Sequence, residues 1–294
     1  MKGVTMPVQI RSTSTQPNQT ATFDFTGYNV LSFVTGIAYW DFHFHGDDHQ
    51  VKTLALSLVN NQPDSHTVNV NVSGTFSDDS GNNIDNPDSS VVLCCVAVVD
   101  SPDSSLTLAG ASSIPNGGAS APIALPGSSL AISSAFLSGF DLSYGDTDHH
   151  VLRFQTAAGF AANGSQGEIT AQAAMSDNSG DDASTTTING GLIAATPNES
   201  GLLVESRANL QTHDDVVVEF GTEISNAVPL LQSLDVQFDS GHCVQAIGGG
   251  CTSWYVSGTS VTLYGALAFM HDISGNNQDD SASSVSMLVV AIPR

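Results

Sequence analysis

Basic residues are nearly missing from this chain. Its 294 residues include six Lys plus Arg against 29 Asp plus Glu, a formal net charge of −23. Such a surface repels phosphate backbones and anionic lipid headgroups, so nucleic-acid and membrane-surface partners are not expected. Long apolar runs are missing too. The opening "MKGVTMPVQIRS" lacks the apolar core of a secretory signal, and the longest uncharged stretch, Ser104 to Phe140, is broken by Pro115, Pro122 and Pro126. Neither a leader nor a membrane-spanning helix is predicted. Export by a signal-free route, or incorporation into a particle, stays open. Catalytic signatures are also lacking: there is no G-x-S-x-G elbow, no H-E-x-x-H, no phosphate-binding Gly loop and no dinucleotide fingerprint. The chain is therefore expected not to be an enzyme, with glycoside cleavage by a carboxylate pair the chemistry left open.

Cysteine is scarce, with four residues. Cys94 and Cys95 are neighbours inside "SVVLCCVAVV", so as strand residues they face opposite sides, and buried free thiols are expected. Cys243 and Cys251 flank "VQAIGGG". A fold-back of that segment would permit a disulfide; two unpaired thiols are the other reading.

What the chain has is apolar residues at 40%, enough for real cores, set among abundant Gly, Ser, Thr, Asn and Asp. That mixture favours strands joined by turns, and no long amphipathic helix is visible. The acid is mostly Asp, clustered in Gly/Asn/Ser loops. Solubility explains it; divalent cation binding and a high-salt habitat are the sharper readings.

One loop is written three times: "SDDSGNN" from Ser77, "SDNSGDD" from Ser176 and "HDISGNN" from His271. A second anchor precedes each: "YWDFHFHGDDHQVKT", "SGFDLSYGDTDHHVLR" and "QSLDVQFDSGHCVQA". Alignment superposes Asp41, Asp141 and Asp235, then His49, His149 and His242, then Val51, Val151 and Val244. From the shared His to the loop Asp (Asp78, Asp177, Asp272) the separations are 29, 28 and 30 residues. Each loop leads into an apolar strand: "SVVLCCVAVV", "TINGGLIAAT" or "SVSMLVVAIP". Three tandem units follow, residues 1–101, 102–198 and 199–294, joined at "DSPDSS" and "TPNES".

Within a unit the hydrophobic period is two. Val68, Val70 and Val72 alternate with Asn69 and Asn71, and Ile169, Ala171, Ala173 and Met175 alternate with polar neighbours. In the third unit, Leu263, Leu267 and Phe269 fall on the opposite parity relative to Asp272, so a bulge, or burial on both faces, is expected there. Each unit reads as an antiparallel β-sandwich of about six strands.

In "FLSGFDLSYGDTDHHVLRF", "GEITAQAAMSDNSGDD" and "NGGLIAAT" the unit resembles the H-type lectin domain. That resemblance implies six-stranded antiparallel sandwiches that associate as trimers and bind galactose-type sugars between neighbours. Three fused units would then form an intramolecular pseudo-trimer. The family's last strand usually carries a Trp, whereas the tryptophans here are Trp40 and Trp254. Its sugar-binding arginine has Arg153 as candidate in the second unit, with Lys52 and Gln245 nearby in the others.

The candidate metal ligands are the loop acids Asp78, Asp79, Asp177, Asp181, Asp272 and Asp279, whose oxygens around a Gly suit Ca²⁺, although the spacing is not that of an EF-hand. Solvated acids in a turn, or direct sugar contact, are the other readings. His49, His149 and His242 would occupy equivalent places in a pseudo-trimer and could share a transition metal or an anion, or each could cap its own strand. Trp40, Tyr144, Trp254 and Tyr255 are candidate sugar platforms, with a core role the alternative for each Trp. The expected function is non-enzymatic glycan binding or adhesion. The alternative is a self-assembling structural subunit of a phage particle, surface layer or extracellular filament.

Overall fold

The computed structural model describes residues 7–145, 147–197, 201–211 and 215–294. The opening hexapeptide and the unit boundary at 198/199 lie outside the described residues. The fold is all-β, with 68% strand and no helix among the described residues.

The first segment contributes β1 (Val8–Thr15), β2 (Thr20–Asp24), β3 (Val30–His43), β4 (Thr53–Asp64), β5 (Thr67–Ser77) and β6 (Ser90–Val99). The second contributes β7 (Leu106–Pro115), β8 (Ile123–Ala124), β9 (Ile132–Ser143), β10 (Val151–Asn163), β11 (Gln166–Ser176) and β12 (Thr185–Ala195). The third is divided more finely: β13 (Leu203–Leu210), β14 (Val216–Glu219), β15 (Ile224–His242), β16 (Ala246–Gly250), β17 (Ser253–Ser257), β18 (Ser260–Tyr264), β19 (Leu267–His271) and β20 (Ser284–Pro293).

These strands do not form sheets segment by segment. The orders are β2-β5-β4-β9-β12-β7, β13-β20-β15-β10-β11-β8 and β1-β6-β3-β16-β19, with a small β14-β18-β17 sheet beside them. All pairs are antiparallel. The first segment's hairpin β4–β5 extends the second segment's β9. The second segment's β10–β11 extends the third's β15. The third segment's β16–β19 extends the first's β3, pairing Gly249 with Trp40 across the length of the chain. The pairing therefore runs in a cycle through the three segments.

Two cores follow from this layout. The larger collects the inward face of every alternating strand, including Val68, Val70 and Val72 of β5 and Ile169, Ala171 and Ala173 of β11. Its densest part is an aromatic group in which Trp40 packs on Phe42, Phe140 and Phe154 at 4.9–5.8 Å between ring centroids. The second core gathers Val34 and Val96 of the first segment, Phe136 and Ile193 of the second, and Leu230 and Leu288 of the third. The closing strands β6, β12 and β20 stand between the two, which is why they read as continuous apolar runs instead of alternating ones. Cys95 faces the larger core and Cys94 the smaller, both as free thiols.

The third segment departs from the other two in its long hairpin. Leu263 is buried in β18, and Ala268 and Met270 are buried in β19. The parity change has neither expected cause. The hairpin is broken at Cys251–Thr252 on one arm and Gly265–Ala266 on the other, and its distal half, β17–β18, leaves the sheet to pair with β14. Cys251 sits at this break, fully buried, its Sγ 3.0 Å from the Ser253 carbonyl. Cys243 lies outside the core, and both thiols are free, so they form no disulfide.

The segments meet at Gly36. A Cβ there would stand 2.6 Å from the Phe136 ring and 2.7 Å from Leu230, so glycine is required for close approach. Gly36→Ala is expected to cost about 1–3 kcal/mol through overpacking. In a denaturation double-mutant cycle, Phe136→Leu should recover part of that loss. Strict additivity of the two changes would show that these segments do not converge there.

Candidate functional site

The thrice-written loop is one turn in three places. The Asp78, Asp177 and Asp272 N–H groups donate to the carbonyls of Asn82, Asp181 and Asn276 at 3.2, 3.0 and 3.0 Å. Gly81, Gly180 and Gly275 supply the positive φ the reversal needs, at +97°, +97° and +93°, which costs glycine no Cβ clash. Each Asp carboxylate turns back into its own loop. Asp78 Oδ1 accepts the Asn82 N–H at 2.7 Å, and Asp272 Oδ1 accepts that of Asn276 at 2.8 Å. Asp177 Oδ1 accepts the N–H groups of Ser179, Gly180 and Asp181.

The aligned histidines meet these acids. Nδ1 of His49, His149 and His242 lies 3.3, 2.9 and 3.7 Å from the Oδ2 of Asp78, Asp177 and Asp272. Each ring also rests on an aromatic: Phe44 edge-on at 5.0 Å, Tyr144 stacked at 4.3 Å, Phe238 edge-on at 5.1 Å. The backbone around them joins the segments. Val51 pairs with His149, Val151 with His242, and Val244 with His49. The flanking acids repeat the theme, since Asp148 accepts the Asp79 N–H at 3.1 Å and Asp48 the Ile273 N–H at 3.4 Å. In the third segment the equivalent residue is Gly241, which lies against Asn178.

Burial works to raise the Asp78, Asp177 and Asp272 carboxyls, but it is outweighed. Hydrogen bonds from Asn82 hold Asp78 below the usual carboxylate range. His149 and Ser179 do so for Asp177, and Asn276 for Asp272.

In the first and third loops the candidate carboxylates are hydrogen-bonded within the loop. Asn82 Nδ2 donates to Asp78 Oδ2 at 2.5 Å, and Asn276 Nδ2 donates to Asp272 Oδ2 at 2.5 Å. Asp79 is tied to Lys52 Nζ at 2.6 Å, and Asp279 belongs to a separate turn closed by Ser281. The three imidazoles do not converge on one ion, because each is committed to its own segment's Asp. Among the described residues the metal-competent group is His149, Asp177 and Asp181, in the second loop alone.

The expected sugar residues are dispersed. Trp40 is fully buried and Tyr144 is 6% exposed, so neither ring offers a face to a ligand. Trp254 is half-buried and donates from Nε1 to the Ala227 carbonyl at 2.8 Å. Arg153 forks onto Asp235 of the next segment, Nε to Oδ1 at 2.8 Å and Nη2 to Oδ2 at 2.5 Å. It is a strand-to-strand clamp instead of a free arginine. Tyr255 is the exposed one, at 60%.

Sequence reasoning missed Phe44, Tyr144 and Phe238 as a set. Each stands three residues after an aligned Asp, a spacing already present in "DFHF", "DLSY" and "DVQF". It also missed hydroxyls two residues before the His. Thr147 Oγ1 lies 3.0 Å from His149 Nε2, and Ser240 Oγ lies 2.9 Å from His242 Nε2. This hydroxyl–imidazole–carboxylate order is that of a nucleophilic triad, but a triad also needs a substrate cleft and oxyanion donors. A cavity of about 380 Å³ lies elsewhere, between Ile132, Leu202, Val204 and Phe220.

A scan against protein families finds no match, and a search of curated proteins finds no significant relative.

The lowered carboxyl of Asp272 has a consequence for acid stability. Its contribution is complete above the unfolded value near pH ~4 and is lost as pH falls through the lower folded value. Asp272→Asn should destabilise the fold by about 1–3 kcal/mol at neutral pH. It should also flatten the decline in melting temperature below pH ~4. An unchanged acid limb would remove this carboxylate from the stabilising set.

Proposed function

We propose that this chain is a non-enzymatic scaffold. It is a one-chain pseudo-trimer of interlocked β-sandwich units that serves as a structural subunit of a larger assembly. The observation that carries this reading is the cycle of strand exchange, in which each segment's hairpin completes the sheet of another. Such a chain does alone what three separate subunits would do by association, with neighbours held at high effective concentration. The polar groups that recur in all three segments are spent on turns and on cross-segment bonds, which fits a load-carrying framework better than three sugar sites. The exposed apolar side chains Leu31, Val59 and Ile273 are available for contacts between chains.

Glycan binding is the second reading, and one observation favours it. On the outward face of the β14-β18-β17 sheet, Tyr255 (60% exposed) lies across from Thr262 and Val217, with Tyr264 on its diagonal. Two open aromatic rings on a flat strand face suit stacking on sugar rings.

Light scattering and negative-stain microscopy over rising concentration test the first reading, and ordered assemblies are expected. A strictly monomeric chain that binds a glycan array, with Tyr255→Ala abolishing the signal, would replace it by the second.

A further inference from the structure

We propose that the second loop binds one divalent transition metal of the zinc class, held by His149 Nδ1, Asp177 Oδ2 and Asp181 Oδ2. This site is independent of the assembly reading above. The comparison among the three loops points to it. In the first and third loops, a neutral amide nitrogen stands 3.2 Å (Asn82) or 3.4 Å (Asn276) from the imidazole Nδ1 and donates to the loop Asp. That donor is replaced in the second loop by Asp181, whose Oδ2 lies 4.0 Å from His149 Nδ1 while Asp177 Oδ2 lies at 2.9 Å. Two carboxylates and a ring nitrogen now face one point, and the only group between the carboxylates among the described residues is the small Ser179 hydroxyl, 2.8 Å from Asp177 Oδ2 and 3.0 Å from Asp181 Oδ2.

All three ligand atoms lie within 4.8 Å of one another. A zinc-class ion about 2.0–2.1 Å from each would set them roughly 3.3 Å apart in a tetrahedral shell, so Asp181 closes in, the His149–Asp177 pair opens by a few tenths of an ångström and the Ser179 hydroxyl turns aside. The Asp181 side chain is the mobile partner, being 67% exposed, whereas those of His149 and Asp177 are 20% and 8% exposed.

The surrounding groups orient the ligands as metal sites require. Thr147 Oγ1 holds the other ring nitrogen at 3.0 Å. Three backbone N–H groups anchor Asp177 Oδ1, leaving Oδ2 directed at the imidazole. The Tyr144 ring stacks on the imidazole, and its hydroxyl is buried with no partner among the described residues. The exposed side leaves a fourth position for water.

Calorimetric titration with Zn²⁺ and visible absorption with Co²⁺, both in excess Mg²⁺, test the site on the full chain. One saturable equivalent is expected, with a Co²⁺ spectrum of tetrahedral type. Asp181→Asn restores the residue found at Asn82 and Asn276, so the metal-free melting temperature should hold. Affinity should fall by tenfold or more, since even outer-sphere losses cost roughly 10–100-fold. Absence of a saturable equivalent, or binding that survives Asp181→Asn, would overturn the proposal.

Discussion

The structure depends on backbone pairing between segments. Strand β3 lies in one sheet, the chain crosses over through Gly46–Lys52, and β4 continues in another beside β9 of the next segment. The same crossing occurs between β9 and β10 and between β15 and β16. At each crossing a His-x-Val tripeptide exchanges hydrogen bonds with the equivalent tripeptide of a neighbour: Val51 N–H to the His149 carbonyl at 2.8 Å, and Val244 N–H to the His49 carbonyl at 2.8 Å. Removing one segment would leave β4, β10 or β16 with an open edge, and unpaired edges invite wrong partners. The size of a segment suggests an autonomous domain, but its hydrogen bonds do not, because half of each segment is completed elsewhere. Extending the sequence separation from β4–β9 to β3–β16 adds little entropic cost, since closure entropy grows only with the logarithm of loop length. It delays the last pairings, as contacts far apart in sequence form slowly.

Two cores meet this arrangement. Because each sheet combines two segments, its outer hairpins present one face to the larger core and one to solvent, as in β5 and β11. The closing strands β6, β12 and β20 are covered on both sides over most of their length. The adjacent thiols of Cys94 and Cys95 occupy opposite faces of β6, and burial raises both thiols. They act as small apolar side chains there. The acid load is handled locally. With so few basic residues, most carboxylates cannot find a cation, and the loops use them as acceptors for turn N–H groups instead. Lys52 and Arg153 are each placed on an acid, and Arg153 makes its bidentate pair across a segment boundary.

Much of the fold was legible in local pattern. The period-two runs gave β5 and β11, and the aligned His and Asp proved to be partners in every segment; the repeated loop is the same tight turn three times, but it leads from one sheet to another, β5 to β6, β11 to β12 and β19 to β20, and is not the hairpin turn its pattern suggests. Three features lay beyond local pattern. Which segment receives a hairpin depends on the crossing at Gly46–Lys52, whose residues specify a turn but no partner. The break of the third hairpin depends on Cys251 and Gly265, which read as an ordinary thiol and an ordinary turn glycine. The sugar platforms were chosen by residue type, and type does not fix burial: Trp40 and Tyr255 are both aromatics on strands, yet one is fully buried and the other open. Tyr144 could have been reassigned from its spacing, since its equivalents Phe44 and Phe238 carry no hydroxyl for a ligand.

Repetition inside one chain separates framework from specialised chemistry. The Asp of the turn, the His that meets it, the aromatic beneath the His and the Val bonded to the next segment occur in all three places, and all are spent on holding the chain together. The positions that differ are those with unspent chemistry. Asn82 and Asn276 donate to the loop Asp, whereas Asp181, which accepts from the Ser179 hydroxyl, brings a second carboxylate beside Asp177. β17 and β18 leave the sheet and expose Tyr255 and Tyr264, which have no counterparts in the intact hairpins β4–β5 and β10–β11. A residue written three times therefore marks the scaffold, and binding is to be sought where one segment breaks the pattern.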